Sequence, residues 1–286
     1  MKIVDIINGS KPSLSFEVFP PKTSDKYDSV SLAIKEIARL NPSYMSVTYG
    51  AGGGTSEYTA KIAKEVSSLG VTSLAHLTCI SSSQELVQKQ LNTLKALGIE
   101  NILALRGDIP EGLNINNCDF HYSFELIDEI KKHGRFCIGG ACYPECHPES
   151  TSVEKDIEYL KIKVEHGCEF LTTQMFFDND ILYRFNERLQ KANIDAPIVA
   201  GIMPITAPTQ FERIVKLSGN ALPKSFLNEV LRFENSPEAF RQAGIEFAIK
   251  QARELYKSGF NAVHIYSMNK PEVAKAIQNN LSDVIK

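Results

Sequence analysis

Apolar positions along the chain alternate between two rhythms. Val30, Ile34, Ile37 and Leu40 hold helical spacing, and a strand-like run over residues 44–49 follows. In the same way Ile62, Val66 and Leu69 lead to 72–79, Val87, Leu91 and Leu94 to 102–106, and Leu126, Ile127 and Ile130 to 137–143. Ile157, Leu160 and Val164 precede 170–177, a helix over 181–189 precedes 197–203, and one over 248–256 precedes 262–268. Most of these helical stretches end at a glycine, Gly70 and Gly98 among them, a residue that accepts the left-handed conformation closing a helix. With the opening run 14–19 this makes eight strands, most of them about thirty residues apart. Strands alternating with helices imply parallel pairing through right-handed crossovers. Eight such units in 286 residues predict a closed (β/α)8 TIM barrel. The wider gap between strands seven and eight predicts an extra helix around 223–233. No linker or low-complexity boundary interrupts the chain, so residues 1–286 read as one domain.

In a barrel the apolar face of each strand packs beneath helices and the other face lines the interior. Polarity then sends Ser15 and Glu17, Ser46 and Thr48, His76 and Thr78, Arg106 and Asp108, Tyr143, Gln174, and His264 and Tyr266 inward. Branched aliphatics ordinarily fill barrel interiors, so polar residues from seven strands, mostly near carboxyl ends, predict a ligand-binding mouth. Glu17 is central to it. A carboxyl group in the middle of Ser15-Phe-Glu-Val-Phe-Pro-Pro-Lys22 is costly to bury unless paired, hydrogen-bonded or protonated.

Composition narrows the classes. With 43% hydrophobic and 23% charged residues and a net charge of −3 without a basic block, neither nucleic-acid nor membrane-surface binding is expected. No secretory leader pattern is present and no apolar run approaches the roughly 18 residues of a membrane span, so a cytoplasmic location is expected. Six scattered cysteines do not resemble a disulfide framework. Cys142-x3-Cys146-His147 is loosely spaced and lacks a second paired half, so no metal site is expected. The glycine-rich stretch 50–55 lacks the lysine of a P-loop and the glycine pattern of a dinucleotide fingerprint. It reads as a rim loop rather than a phosphate cradle.

The residues alone leave the chemistry open. Glu17 and Asp108 as a carboxylate pair suit glycoside hydrolysis or an aldolase-like proton transfer, yet no strand carries an evident Schiff-base lysine. Gln174 and Thr48 are neutral hydrogen-bonders suited to the edges of a heterocycle. Leu103-Ala-Leu-Arg-Gly-Asp108 sets a glycine that admits close backbone approach beside an arginine and a carboxylate, as a flat polar cofactor would require.

Ordered motifs go further. The opening Ser15–Lys22 octapeptide, Ser46-Val-Thr-Tyr-Gly50, His76-Leu-Thr-Cys79, Leu103–Asp108, Tyr143-Pro-Glu-x-His-Pro148, Thr173-Gln174, Gly201-Ile-Met-Pro204 and Tyr266-Ser-Met-Asn-Lys270 occur in this order. The chain thereby resembles the methylenetetrahydrofolate reductase family over nearly its whole length, in the short bacterial form without a carboxyl-terminal regulatory domain. The resemblance implies a flavin barrel reducing 5,10-methylenetetrahydrofolate to 5-methyltetrahydrofolate by a ping-pong mechanism, with FAD (FMN the second choice) and NADH or NADPH as donor. It implies Glu17 as the general acid that protonates the folate nitrogen N10 on ring opening, and Asp108 as the carboxylate near flavin and pterin. Flavin-binding positions fall on Thr48, His76, Arg106, Gly107, Asp108, Tyr122, Ser123, Tyr143, His147, Asp156 and Lys163. Folate positions fall on Glu17, Thr48, Asp108, Gln174, Gln210 and Lys270.

The chain departs from the family pattern at Tyr159 and Ile162, where asparagine and a basic residue are usual, and at His166-Gly167-Cys168. These lie toward the adenosine end, which weakens FAD relative to flavin in general. Lys270 stands where an arginine is usual and loses bidentate geometry. A homo-oligomer is expected. Two alternatives stay open: the same barrel as a subunit fed electrons by a partner protein, and a catalytically silent folate- or flavin-binding subunit.

Overall fold

A computed structural model of the chain describes residues 1–21, 23–49, 56–210 and 222–285. The glycine-rich stretch 50–55 lies outside the described residues. Eight parallel strands close into a barrel in sequence order. They are β1 (Ser13–Val18), β2 (Met45–Val47), β3 (Ser73–Thr78), β4 (Asn101–Leu105), β5 (Cys137–Cys142), β6 (Phe170–Thr173), β7 (Ile198–Ile202) and β8 (Ala262–Ile265). The helices around them include α1 (Ile3–Ile7), α2 (Tyr27–Ala38), α3 (Ser56–Ser68), α4 (Gln84–Ala96), α5 (Ser123–His133), α6 (Val153–Glu165) and α7 (Asn179–Lys191). After β7 come α8 (Lys224–Glu229) and the long α9 (Pro237–Lys257), and α10 (Pro271–Leu281) follows β8. The (β/α)8 architecture and the extra helix between the last two strands are as the periodicity predicts.

Several strands are shorter than predicted, β6 most of all, because apolar runs continue past the last ladder bond into the loops above the barrel. Met175 and Phe177, beyond β6, pack with Ile205, Phe226 and Phe240 in a separate cluster under α8 and α9. Gly70 and Gly98 follow α3 and α4 at φ of +84° and +73°, as a left-handed helix terminus requires.

Apolar layers lie outside the strands and in the lower part of the barrel interior. The outward set (Phe16 and Val18, Met45 and Val47, Ala75 and Leu77, Ile102 and Ala104) packs beneath the helices. The lower interior is filled by Tyr44, Leu74, Leu103, Cys137, Phe170 and Val199, and Ile3 and Ile7 of α1 close it from below. The sequence reading missed α1, which is too short for periodicity to register. The Phe170 ring leans onto its register partner Gly139 on the neighbouring β5, where a Cβ would lie 2.3 Å from it.

Candidate active site

Parallel register assembles the upper interior. Glu17 on β1 lies opposite Ser46 on β2, and Ser15 lies opposite His264 on β8. Side chains in register on neighbouring strands share a face, so these four meet. His264 Nδ1 is 2.7 Å from Ser15 Oγ and its Nε2 is 2.9 Å from Ser46 Oγ. Since Ser15 Oγ donates to the Val263 carbonyl at 3.2 Å, it accepts from Nδ1–H, and Ser46 donates to Nε2. The ring stacks on Tyr44 at 5.6 Å, and burial holds it neutral, pushed down to about 3.

Glu17 sits above this assembly and is 7% exposed. Among the described residues no hydrogen bond reaches its carboxyl oxygens. Desolvation pushes it up to about 8. His76 Nε2 lies 3.8 Å from Glu17 Oε2. Burial pushes His76 down to about 3, so the contact joins a carboxylic acid to a neutral imidazole and is not an ion pair. His76 Nε2 is itself buried without a partner, as is Thr172 Oγ1 on β6. Ser267 Oγ donates to the Glu17 carbonyl at 2.8 Å, and Asn269 brackets the Phe19 backbone through both ends of its amide. These bonds tie the loop after β8 to the exit of β1.

Beside the barrel axis, above β4 and β5, lies a cavity of about 620 Å³. Arg106, Gly107, Asp108, Tyr122, Ser123, Tyr143, His147, Asp156 and Lys163 all line it, and Thr48 and His76 do not. Gly107 turns at φ +89°, and a Cβ there would stand 3.0 Å from Thr78, so only glycine brings the backbone to the cavity in this way. Lys163 is half-buried, with Nζ donating to the Ala141 carbonyl at 2.6 Å. The Asp156 carboxylate accepts from the His147 backbone N–H at 3.1 Å, and burial raises it above the usual carboxylate range. Tyr143 meets His147 edge-on at 4.5 Å, and the half-buried Gln174 accepts from the Met175 backbone N–H at 2.9 Å. Toward the mouth Tyr122 stacks between Phe124 and Tyr159 at 5.2 and 5.4 Å.

One orientation is corrected. Arg106 does not point into the barrel. Leu103 and Leu105 belong to the inner layer and Ile102 and Ala104 to the outer, so Arg106 alternates outward into the cavity. Asp108 stands exposed on the following loop rather than inside. From Ile102 to Leu105 both faces of β4 are apolar, and polarity in that run therefore gave no guide to its parity.

Gln210 and Lys270 form a third cluster. Lys270 Nζ donates to Thr206 Oγ1 at 2.8 Å, and that hydroxyl donates to Gln210 Oε1 at 3.1 Å. The Thr206 and Ala207 backbone N–H groups converge on the same oxygen. Sequence reasoning missed Thr206, whose signal was a threonine closely following β7. It also missed Glu149, which grips Arg106 with both oxygens at 2.6 and 2.7 Å.

A closed barrel with a neutral acid at the carboxyl ends of its strands and an adjoining cavity lined by both polar and apolar groups defines a (β/α)8-barrel enzyme. Comparison with known proteins narrows the class. The family model for methylenetetrahydrofolate reductase matches residues 2–282. The chain is 33% identical over 270 residues to a 5,10-methylenetetrahydrofolate reductase of Pectobacterium carotovorum, covering 94% of this chain and 90% of that one. It is 35% identical to methylenetetrahydrofolate reductase 1 of Schizosaccharomyces pombe over 95% of its own length. The chain spans about half the length of the eukaryotic relatives, 46% in that case. This chain belongs to the methylenetetrahydrofolate reductase family, a family of oxidoreductases. A Clostridium thermocellum protein whose structure is described as binding two copies of 5-methyl-5,6,7,8-tetrahydrofolic acid superposes with a TM-score of 0.68, covering 99% of each chain. At 15% identity that likeness shows the fold alone. Among the described residues no helix is long and apolar enough to cross a membrane.

Proposed function

We propose that this chain reduces 5,10-methylenetetrahydrofolate to 5-methyltetrahydrofolate, using bound FAD and NADH or NADPH as donor. The observation that carries the reading is Glu17, a carboxyl group held neutral at the barrel mouth with its ordinary range displaced upward to about 8. At neutral pH it is a loaded acid, the state needed to protonate a departing folate nitrogen. Neutral His76 and His264 leave it undisturbed, since a cation at either position would favour the carboxylate.

The cavity fits a flavin. Its volume lies within the range of small-molecule pockets. Gly107 lets a planar ring approach the backbone, Arg106 offers a forked cation, and the Tyr122–Tyr159 wall offers an aromatic surface. When bound, such a cofactor supplies the hydride-carrying chemistry that amino-acid side chains lack. The chain's own part is to orient, exclude water and hold a proton. Gln174 would present its amide to the pterin, Thr48 would border the mouth, and Lys270 with Thr206 and Gln210 would receive the anionic tail of folate.

An anaerobic spectrum tests the reading. Flavin bands that bleach with NADH or NADPH and return with methylenetetrahydrofolate support it. Bands that resist both nicotinamides would favour a protein electron donor. A chain that binds neither FAD nor FMN would overturn it.

A further inference from the structure

Within the cavity, the cation best placed to change partners is Arg106. Lys163 is committed to the Ala141 carbonyl, and His147 accepts the Glu149 backbone N–H at Nδ1, 3.1 Å away, with burial holding its ring below the usual imidazole range. Arg106 is different. Its side chain is 23% exposed, and its two terminal nitrogens are taken by Glu149, a residue 43 positions later whose side chain is 53% exposed. Its Nε donates to the Gly107 carbonyl at 3.3 Å, which fixes the plane of the fork.

A carboxylate and a phosphate present the same pair of oxygens to a guanidinium. The Glu149 carboxylate is also well enough exposed to return to water at little cost, whereas Arg106 stays in the cavity wall. We propose that Glu149 is a built-in competitor that occupies the Arg106 fork until the phosphate oxygens of a ligand displace it. The pair then acts as a selectivity device, admitting phosphorylated flavins to the fork and doing nothing for the bare ring system. It also keeps the guanidinium ordered before the ligand arrives, at the expense of part of the ligand's affinity. The arginine beside it holds the Glu149 carboxyl below its usual range, so the competitor is charged at neutral pH. The inference rests on the flavin reading for the identity of the ligand, but not for the competition itself.

The test is equilibrium binding to flavin-free protein, followed by quenching of flavin fluorescence for riboflavin, FMN and FAD, and by calorimetry for ADP. Exposed ion pairs contribute up to about 1 kcal/mol, and bidentate ones somewhat more, so Glu149→Gln is expected to bind FMN and FAD roughly two- to tenfold more tightly. Riboflavin affinity should not change, and the gain should vanish when Arg106→Gln is added. Unchanged or weaker FMN and FAD binding in Glu149→Gln would overturn the proposal. So would an equal gain for riboflavin, which would make Glu149 a steric plug. If no flavin binds but ADP binds more tightly to Glu149→Gln, the flavin reading falls and the competition stands. If neither flavin nor ADP binds to either protein, both fall.

Discussion

The lower and upper halves of the barrel interior are built on the same strands and differ in the polar groups they bury. Below, Leu74, Leu103, Phe170 and Val199 pack against Ile3 and Ile7, and the polar Asn101 is fully occupied. It accepts from the Ile3 N–H and donates to the carbonyls of Met1 and Ser73. Above, His264 is equally well satisfied, yet His76 Nε2 and Thr172 Oγ1 are buried without partners and the Glu17 carboxyl is held uncharged. Burying unpaired polar groups costs stability. The lower half is not free of such groups, since among the described residues the Tyr44 hydroxyl is also buried without a partner, but the uncharged carboxyl group sits only in the upper half and marks it as the part open to chemistry.

The sharpest way to break that comparison is to exchange effects between the halves. Glu17→Gln should cost about 10²–10⁴-fold in folate reduction while leaving reduction by the nicotinamide intact, read by separate stopped-flow measurements of the two half-reactions. Wild-type folate turnover would remove Glu17 from the acid role. Below, Phe170→Ala should cost about 3–5 kcal/mol in denaturant unfolding, because it empties the centre of the plug, and residual folded protein should keep its half-reaction rates.

Stability against pH sharpens the contrast further. Glu17 titrates at about 8 folded against an ordinary 4.5, so its contribution is full below 4.5 and is lost as pH rises toward 8. His76 and His264 titrate at about 3 folded against 6.5, so theirs is full above 6.5 and is lost as pH falls toward 3. Glu17→Gln should remove the loss between 4.5 and 8, whereas Phe170→Ala should lower the whole curve without changing its shape. The smallest effect is expected from Asp108→Asn. Its exposure leaves the charge to water screening, so the folate half-reaction should slow by roughly tenfold or less, with a small shift in flavin potential. A loss as large as that of Glu17→Gln would mean that Asp108 is buried on ligand binding.

Much of the candidate site was legible because its residues lie at ends of strands that local pattern already marked. Glu17, His76 and His264 alternate with apolar neighbours, and a period of two is visible without knowing which strand pairs with which. Arg106 was not legible in its direction, since the run from Ile102 to Leu105 that precedes it is apolar on both faces. Helix α1 escaped because five residues span little more than one turn, too few for a 3.6-residue period to emerge. Glu149 carried no local signal, and Thr206 only that of a threonine closely following β7. Each matters through what it touches rather than through what precedes or follows it.

By itself, then, the sequence determined the order and kind of the elements, the closed parallel barrel they imply, and the burdened carboxyl group in the first strand. Near-neighbour periodicity and helix-ending glycines encode those features. Only the tertiary structure decided which polar groups find partners. Ser15 and His264 are 249 residues apart and meet through barrel closure, and Lys270 reaches Thr206 across 64. Such pairings depend on register and loop path, which no local pattern contains.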